Sequence, residues 1–248
     1  MQFHPETQRI IKQTEKLSGR KVVIREDPAL QTLANVTPAR EASPFHLVRY
    51  RPGAGAISYL IAYQLGFTIR LFSTPKEDRF DVAATAEEKQ LGVRELGLSD
   101  LPETLGPAPA DQLITQLRTY SVGMRVDRWI RDESPGLIEE HEISANFQLS
   151  QNEAALDPEI RSKFPKPLVD ANTAMNAAFA KFWADRLGES RFPIPFDTLG
   201  YSDVASDLCG SLTEIPGSPE NDRDLISRWG DILKLADYFH FDPHSLDE

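Results

Sequence analysis

Ile57 to Phe72, ISYLIAYQLGFTIRLF, limits the possible folds more than any other stretch of the chain. It contains no proline and a single charge, Arg70. Ile57, Leu60, Ile61, Gln64, Leu65, Thr68 and Leu71 fall at helical spacing, so one stripe of a helix faces a core. Tyr63 and Phe67, four residues apart, share a second face. Pro52-Gly53-Ala54-Gly55 makes a turn ahead of this helix, and Ser73-Thr74-Pro75 closes it. Before the turn, Phe45 to Arg51 alternates as a strand, with Phe45, Leu47 and Arg49 on one face and His46, Val48 and Tyr50 on the other. Lys21 to Arg25, KVVIR, is a second strand rich in β-branched residues. Residues 29 to 41 have room for one more. Gln8 to Leu17 reads as an amphipathic helix with Ile10, Ile11 and Leu17 inward, stopped at Ser18-Gly19.

Beyond residue 75 the pattern is helical. Helices are expected at Ala86–Leu96, interrupted at Gly92, and from Ala110 through Gly123 to Pro135. Others are expected at Leu137–Phe147, Pro158–Phe164, Pro167–Leu187 and Ser202–Leu212. A last long helix starts at Ser218–Asn221 and turns Leu225, Ile226, Trp229, Ile232, Leu233, Ala236 and Phe239 inward. Leu101–Pro109, with three prolines, and Arg191–Asp197, with two, read as connectors. The tail FDPHSLDE is expected to fray. The fold class is therefore α+β and predominantly helical: a small N-terminal sheet with its helix, then a helical remainder. A boundary near residue 105 divides 1–105, the sheet with its helix, from a helical portion, 106–248, which is expected to pack on the first as one globular unit.

The chain has 248 residues, enough for a sizeable core, and ordinary hydrophobic (40%) and charged (26%) fractions. Its net charge of −11 disfavours nucleic acid bound through a generic basic surface, and an anionic membrane surface likewise. No apolar run is long enough for a membrane span, and Met1 to Glu6 has no signal-peptide pattern. The single cysteine, Cys209, excludes an intramolecular disulfide and a cysteine-based zinc site. A soluble, cytoplasmic protein is the default expectation.

In metal-dependent peptidases a helix like 57–72 carries H-E-x-x-H, whose two histidines bind zinc at i and i+4 while the glutamate acts as general base. Here the five positions read Tyr63, Gln64, Leu65, Gly66 and Phe67. The run Ser43–Phe72, SPFHLVRYRPGAGAISYLIAYQLGFTIRLF, resembles the strand-loop-helix segment of small zincin-type proteins related to the ImmA/IrrE peptidases. Tyr59-Leu60-Ile61-Ala62, Gly66 and Ile69-Arg70-Leu71-Phe72 carry the likeness, and Val122–Ile130 extends it more weakly. The resemblance implies a zincin scaffold and makes 1–105 a zincin-like unit. It also implies that Asp127, in MRVDRWI, stands where a later helix supplies a third ligand, and that His46 and Arg70 border the cleft. The departures fall on the chemistry. A phenol is a poor zinc ligand at neutral pH, an amide is no general base, and a phenyl ring has no lone pair.

Three readings of this helix stand: an ordinary core helix, a zincin scaffold that has lost its metal, and an enzyme with unusual ligands. The second implies a pseudoenzyme with no cofactor, acting by binding a macromolecular partner, a protein, in a regulatory or scaffold role. Tyr63 and Phe67 would then fill the old metal site and be largely buried. The third implies a metal-dependent hydrolase with non-standard ligands. Asp127 paired with Arg125, Arg128 or Arg131 on an exposed helix is the plainer account of that residue. His141-Glu142 begins the zinc motif without its second histidine. His240 and His244 are separated by Pro243, which breaks the helix their spacing requires. No phosphate-binding loop, nucleophile elbow or dinucleotide fingerprint is present.

Overall fold

The computed structural model describes residues 3–40, 43–100 and 108–244. The chain divides into two compact units, and the division is not sequential. The first comprises residues 1–80, 125–146 and 243–248; the second comprises 81–124 and 147–242. A cut at residue 105 is therefore corrected, because two helices each supply residues to both units. The charge divides as unevenly as the chain. The first unit has fifteen Lys and Arg against fifteen Asp and Glu, the second twelve against twenty-three.

In the first unit, α1 (Pro5–Ser18) begins with Pro5 at a position where its missing N–H costs nothing, and the His4 ring accepts from the Glu6 N–H. Gly19 ends it in the left-handed conformation at φ 69°. β1 (Lys21–Glu26), β2 (Ala34–Thr37) and β3 (Phe45–Tyr50) form one sheet in the order β1-β3-β2. β1 runs parallel to β3 in the register Lys21 to Phe45, and β2 runs antiparallel in the register Ala34 to Tyr50. His46, Val48 and Tyr50 form the buried face of β3, and Phe45, Leu47 and Arg49 the half-exposed one. α2 (Ile57–Ser73) follows and packs on α1 and the sheet.

The buried face of α2 is broader than one stripe. Leu60, Ile61, Leu65 and Thr68 are buried as their spacing implies, but so are Tyr59, Ala62, Gly66, Ile69 and Phe72, while Ile57, Gln64 and Leu71 are only half-buried. The returning segment 125–146 supplies the extra cover: Val126, Ile130 and Leu137 join Ile10, Val48, Tyr50, Leu60, Ile61 and Leu65 in one cluster. Gly66 makes the approach possible, since a Cβ there would stand 2.3 Å from Val126 Cγ1.

Among its described residues the second unit is helical apart from one strand pair, whose end residues Phe80 and Pro243 fall to the first unit. β4 (Phe80–Ala83) is followed by α3 (Ala86–Glu95), whose start is a capping box between Thr85 and Glu88. α3 runs through Gly92 without a break. α4 (Ala108–Glu133) gives its residues up to Met124 to this unit and the rest to the first; α5 (Ile138–Ala154) divides after Asn146. α6 (Pro158–Arg161) is one turn long. α7 (Lys166–Leu187) is buried almost all round: its alanines Ala171, Ala174, Ala177, Ala178, Ala180 and Ala184 let neighbours approach closely. α8 (Ile194–Thr198) occupies part of the expected connector. α9 (Ser202–Glu214) packs on α7 and on α10 (Asp222–Leu233).

The last helix is shorter than its apolar spacing suggests. Lys234 adopts φ 59°, and the Leu235 N–H turns back to the Gly230 carbonyl, 2.7 Å away. The Phe239 ring folds over Gly230, at 3.1 Å from where a Cβ would be, so the chain reverses instead of continuing. It then forms β5 (His240–Pro243), which pairs with β4, so that Phe241 to Pro243 are ordered in a strand rather than frayed. The connector expected at Leu101–Pro109 falls, for residues 101–107, outside the described residues, as do residues 245–248 of the tail. Among the described residues no helix is long and apolar enough to cross a membrane.

Candidate functional site

The face of α2 that carries the H-E-x-x-H positions is an aromatic ladder. Tyr59, Tyr63 and Phe67 follow at four-residue steps, with ring centroids 5.9 Å apart for the first pair and 5.2 Å, edge to face, for the second. Tyr63 and Phe67 are half-buried and pack against the core cluster of the unit. Gln64, at the place of the general base, donates from Nε2 to the Ala34 carbonyl of β2 at 3.2 Å. That hydrogen bond occupies an outward acceptor of an edge strand and ties helix to sheet.

The polar centre of the unit lies one turn earlier. The Tyr59 hydroxyl donates to Asp127 Oδ1 at 2.5 Å, and His141 Nε2 lies 3.1 Å from the same oxygen. The imidazole also stacks on the Tyr59 ring, with centroids 4.5 Å apart. Asp127 is 3% exposed, so it is not the solvated member of an arginine cluster. Burial and the adjacent Asp127 charge hold the Tyr59 phenol well above its ordinary pKa, so it remains a donor. Glu140, next to His141, accepts from the Tyr59 backbone N–H at 2.9 Å. It thereby caps a helix whose own N-cap, Ala56, offers no side-chain oxygen and sits at φ 61°. Two segments distant in sequence, around Asp127 and around Glu140-His141, thus converge on the first turn of α2.

Asp127 meets Tyr59, one turn before Tyr63, and the Tyr59 and Tyr63 rings are neighbours on the helix. His46 and Arg70 belong to the other end of α2. His46 contacts Phe72 edge to face at 5.2 Å, thirteen residues and about 20 Å along the helix from Tyr59. It is fully enclosed. Its Nδ1 accepts from the Ala39 N–H at 2.9 Å, which assigns the proton to Nε2, 2.8 Å from Ser18 Oγ. Burial lowers its pKa to about 4. Arg70 is half-buried in the final turns of the helix, and its carbonyl accepts from Thr74.

Zinc does not fit this set. The three motif positions offer a phenol, an amide and a phenyl ring, and Asp127 is already committed to two donors. Among the described residues no group of three His, Cys, Asp or Glu is placed to hold a metal ion. The remaining histidines are also accounted for: His240 lies between Glu88 (2.7 Å) and Asp242 (3.1 Å), and His244 is buried. The Cys209 thiol donates to the Ala178 carbonyl, and burial raises its pKa to about 11, which leaves it unreactive near neutrality. Sequence reasoning missed Tyr59 and His141 as partners of Asp127. The available signal was the spacing of Tyr59, Tyr63 and Phe67, which puts a third aromatic on the motif face.

Comparisons of the chain with protein-family models, with curated proteins and with solved structures found no match.

Proposed function

We propose that this chain is a zincin-like protein without peptidase chemistry, and that it acts by binding a protein partner. One observation carries the reading: each position that the resemblance assigns to catalysis is spent on structure. Gln64 holds the edge strand, Tyr63 and Phe67 pack on each other, and Asp127 holds Tyr59 and His141. A buried carboxylate with two donors is a joint, not a free ligand. The half-buried aromatic pair on α2, together with Ile143, which is 50% exposed, supports binding as the task of the first unit, since aromatic residues are enriched at the centres of interfaces.

The test has two arms. Protein purified without added metal should carry far less than one zinc per chain and leave peptide substrates intact. Wild-type protein should capture a partner from native lysate, and a folded Tyr63→Lys variant should lose it. Recovery of about one zinc per chain would favour the metal-dependent hydrolase instead.

A further inference from the structure

The second unit holds a cleft of about 290 Å³, with walls from α4, α6 and α7 and the end of α5. Its volume is near the lower end for ligand sites and corresponds to roughly ten water molecules, so it suits a small molecule rather than a peptide or a helix. Leu113 and Leu168 form buried wall, while Ile160 and Phe164 stand 43% and 36% exposed at its rim. Large apolar side chains held partly in water beside a cavity mark a place where an apolar body can be covered.

Among the described residues one charged side chain lines the cleft, Arg161. Its guanidinium donates to Thr173 Oγ1 and to the Tyr201 hydroxyl, both at 3.2 Å. Both acceptors are neutral oxygens. Tyr201 in turn donates to Asp170 Oδ1 at 2.7 Å, and Asp170 is directly paired with Lys166. Lys166 and the Tyr201 phenol are the hydrogen-bond partners of the nearby Asp170 carboxylate, which Arg161 reaches only through space; the guanidinium is held in place by two hydroxyls with N–H groups to spare. Arginine so oriented presents a planar fork that matches a carboxylate. In a unit with twelve basic and twenty-three acidic residues, the wider field repels polyanions. A monoanion that reaches Arg161 by contact is the chemistry that remains.

From the cleft and the placement of Arg161 we infer a binding site for a small amphiphilic monocarboxylate, of the class of medium-chain fatty acids. The apolar chain lies between Leu113 and Leu168 under the Ile160–Phe164 rim, and the carboxylate meets the Arg161 fork. This site is independent of the zincin-like reading of the first unit.

Octanoate, with about ten heavy atoms, is the probe, and octanamide is its neutral counterpart of the same shape. Both are titrated into the full-length chain and followed by the amide NMR signals of α4, α6 and α7. Octanoate should saturate one site with a Kd of about 1 mM or tighter. Octanamide should bind about tenfold more weakly, because a charge-assisted bidentate pair is lost. Arg161→Gln should weaken octanoate about tenfold and leave octanamide unchanged. Gln116→Trp, on a half-exposed wall position, should block both ligands. Equal affinity for octanoate and octanamide, or octanoate binding that Gln116→Trp leaves intact, overturns the proposal even if Arg161→Gln does not fold. So does a failure of wild-type protein to saturate with octanoate below about 10 mM.

Discussion

Tyr59 in the first unit and Tyr120 in the second are both enclosed, and each joins three helices through its hydroxyl. They do so with different partners. Tyr59 on α2 meets a carboxylate and an imidazole, Asp127 on α4 and His141 on α5. Tyr120 on α4 meets two amides, Asn152 on α5 at 3.1 Å and Asn176 on α7 at 2.8 Å, with Gln148 Nε2 donating to Asn152 at 2.7 Å. Burial raises the Tyr120 phenol to about 12, and no ionised group takes part in its network. Both clusters fix helices. The charged one makes its unit dependent on two donors around a single carboxylate; the neutral one does not.

The largest effect should come from rebuilding that chemistry. Tyr63→His, Gln64→Glu and Phe67→His together restore H-E-x-x-H on a helix of the right spacing. Adding Tyr59→Phe frees Asp127 as a third donor. Each single variant should bind zinc no better than wild type, the triple variant better, and the fourfold variant better still, by about a hundredfold or more over wild type. Calorimetric zinc titration decides it. A folded fourfold variant with no gain would show that this face of α2 is not a metal cleft in disguise.

Next in size is removal of the charge itself. Asp127→Ala strands a phenol and an imidazole in the interior and should cost about 3–5 kcal/mol in denaturant unfolding. Asn176→Ala in the amide cluster leaves Tyr120 a second acceptor and should cost only about 1–2 kcal/mol. Equal losses would erase the distinction between the clusters.

Titration separates the units by sign. Burial depresses the His46 pKa to about 4, so below about pH 6.5 the unfolded chain takes up a proton that the folded chain refuses. The first unit should therefore lose stability as pH falls from about 6.5 to about 4, by up to about 3 kcal/mol, and His46→Gln should flatten that slope. In the second unit the Glu88 hydrogen bond, joined by Asp242, raises the pKa of half-buried His240. Its small contribution is complete below about pH 6.5 and disappears as pH rises through the raised value. Histidine NMR titrations that moved both pKa values in one direction would contradict this.

Close packing at Gly66 gives the last effect of the series. Alanine is the better helix former, yet Gly66→Ala drives a methyl group into Val126 and should destabilise by about 1–3 kcal/mol. Pairing it with Val126→Ala should recover most of the loss. Without that recovery, the α2–α4 approach at Gly66 would not be the constraint.

Much of the fold was legible where one short-range signal sufficed. The alternation in Phe45–Tyr50, the β-branched Lys21–Glu26 and the punctuation at Gly19 and Gly188 placed those elements within a residue or two. The third strand fell within the expected window. The final helix was over-extended because the apolar spacing through Phe239 is real. A ring folding back on Gly230 uses the same residues for a reversal. Legibility of the site was partial for a similar reason. Asp127 was tied to the motif by resemblance, but its partners Tyr59 and His141 are 68 and 14 residues away, and no local pattern encodes such a pairing. The division of the chain was hidden for the same cause: helices that serve two cores look like any others in sequence.

That shared use of α4 and α5 has a consequence for synthesis. A ribosome releases the sheet and α2 long before it releases Val126, Ile130 and Leu137, which complete their core. At about 5–20 residues per second, the interval between residues 80 and 146 lasts roughly 3–13 seconds. Throughout it, one flank of α2 and the groove at Gly66 lack their cover, and residues 81–124 emerge next to an unfinished neighbour. The nascent chain is a natural client for chaperones during that window. Rare codons placed there would lengthen the exposure, and a circular permutant that brings 125–146 ahead of residue 1 would abolish it.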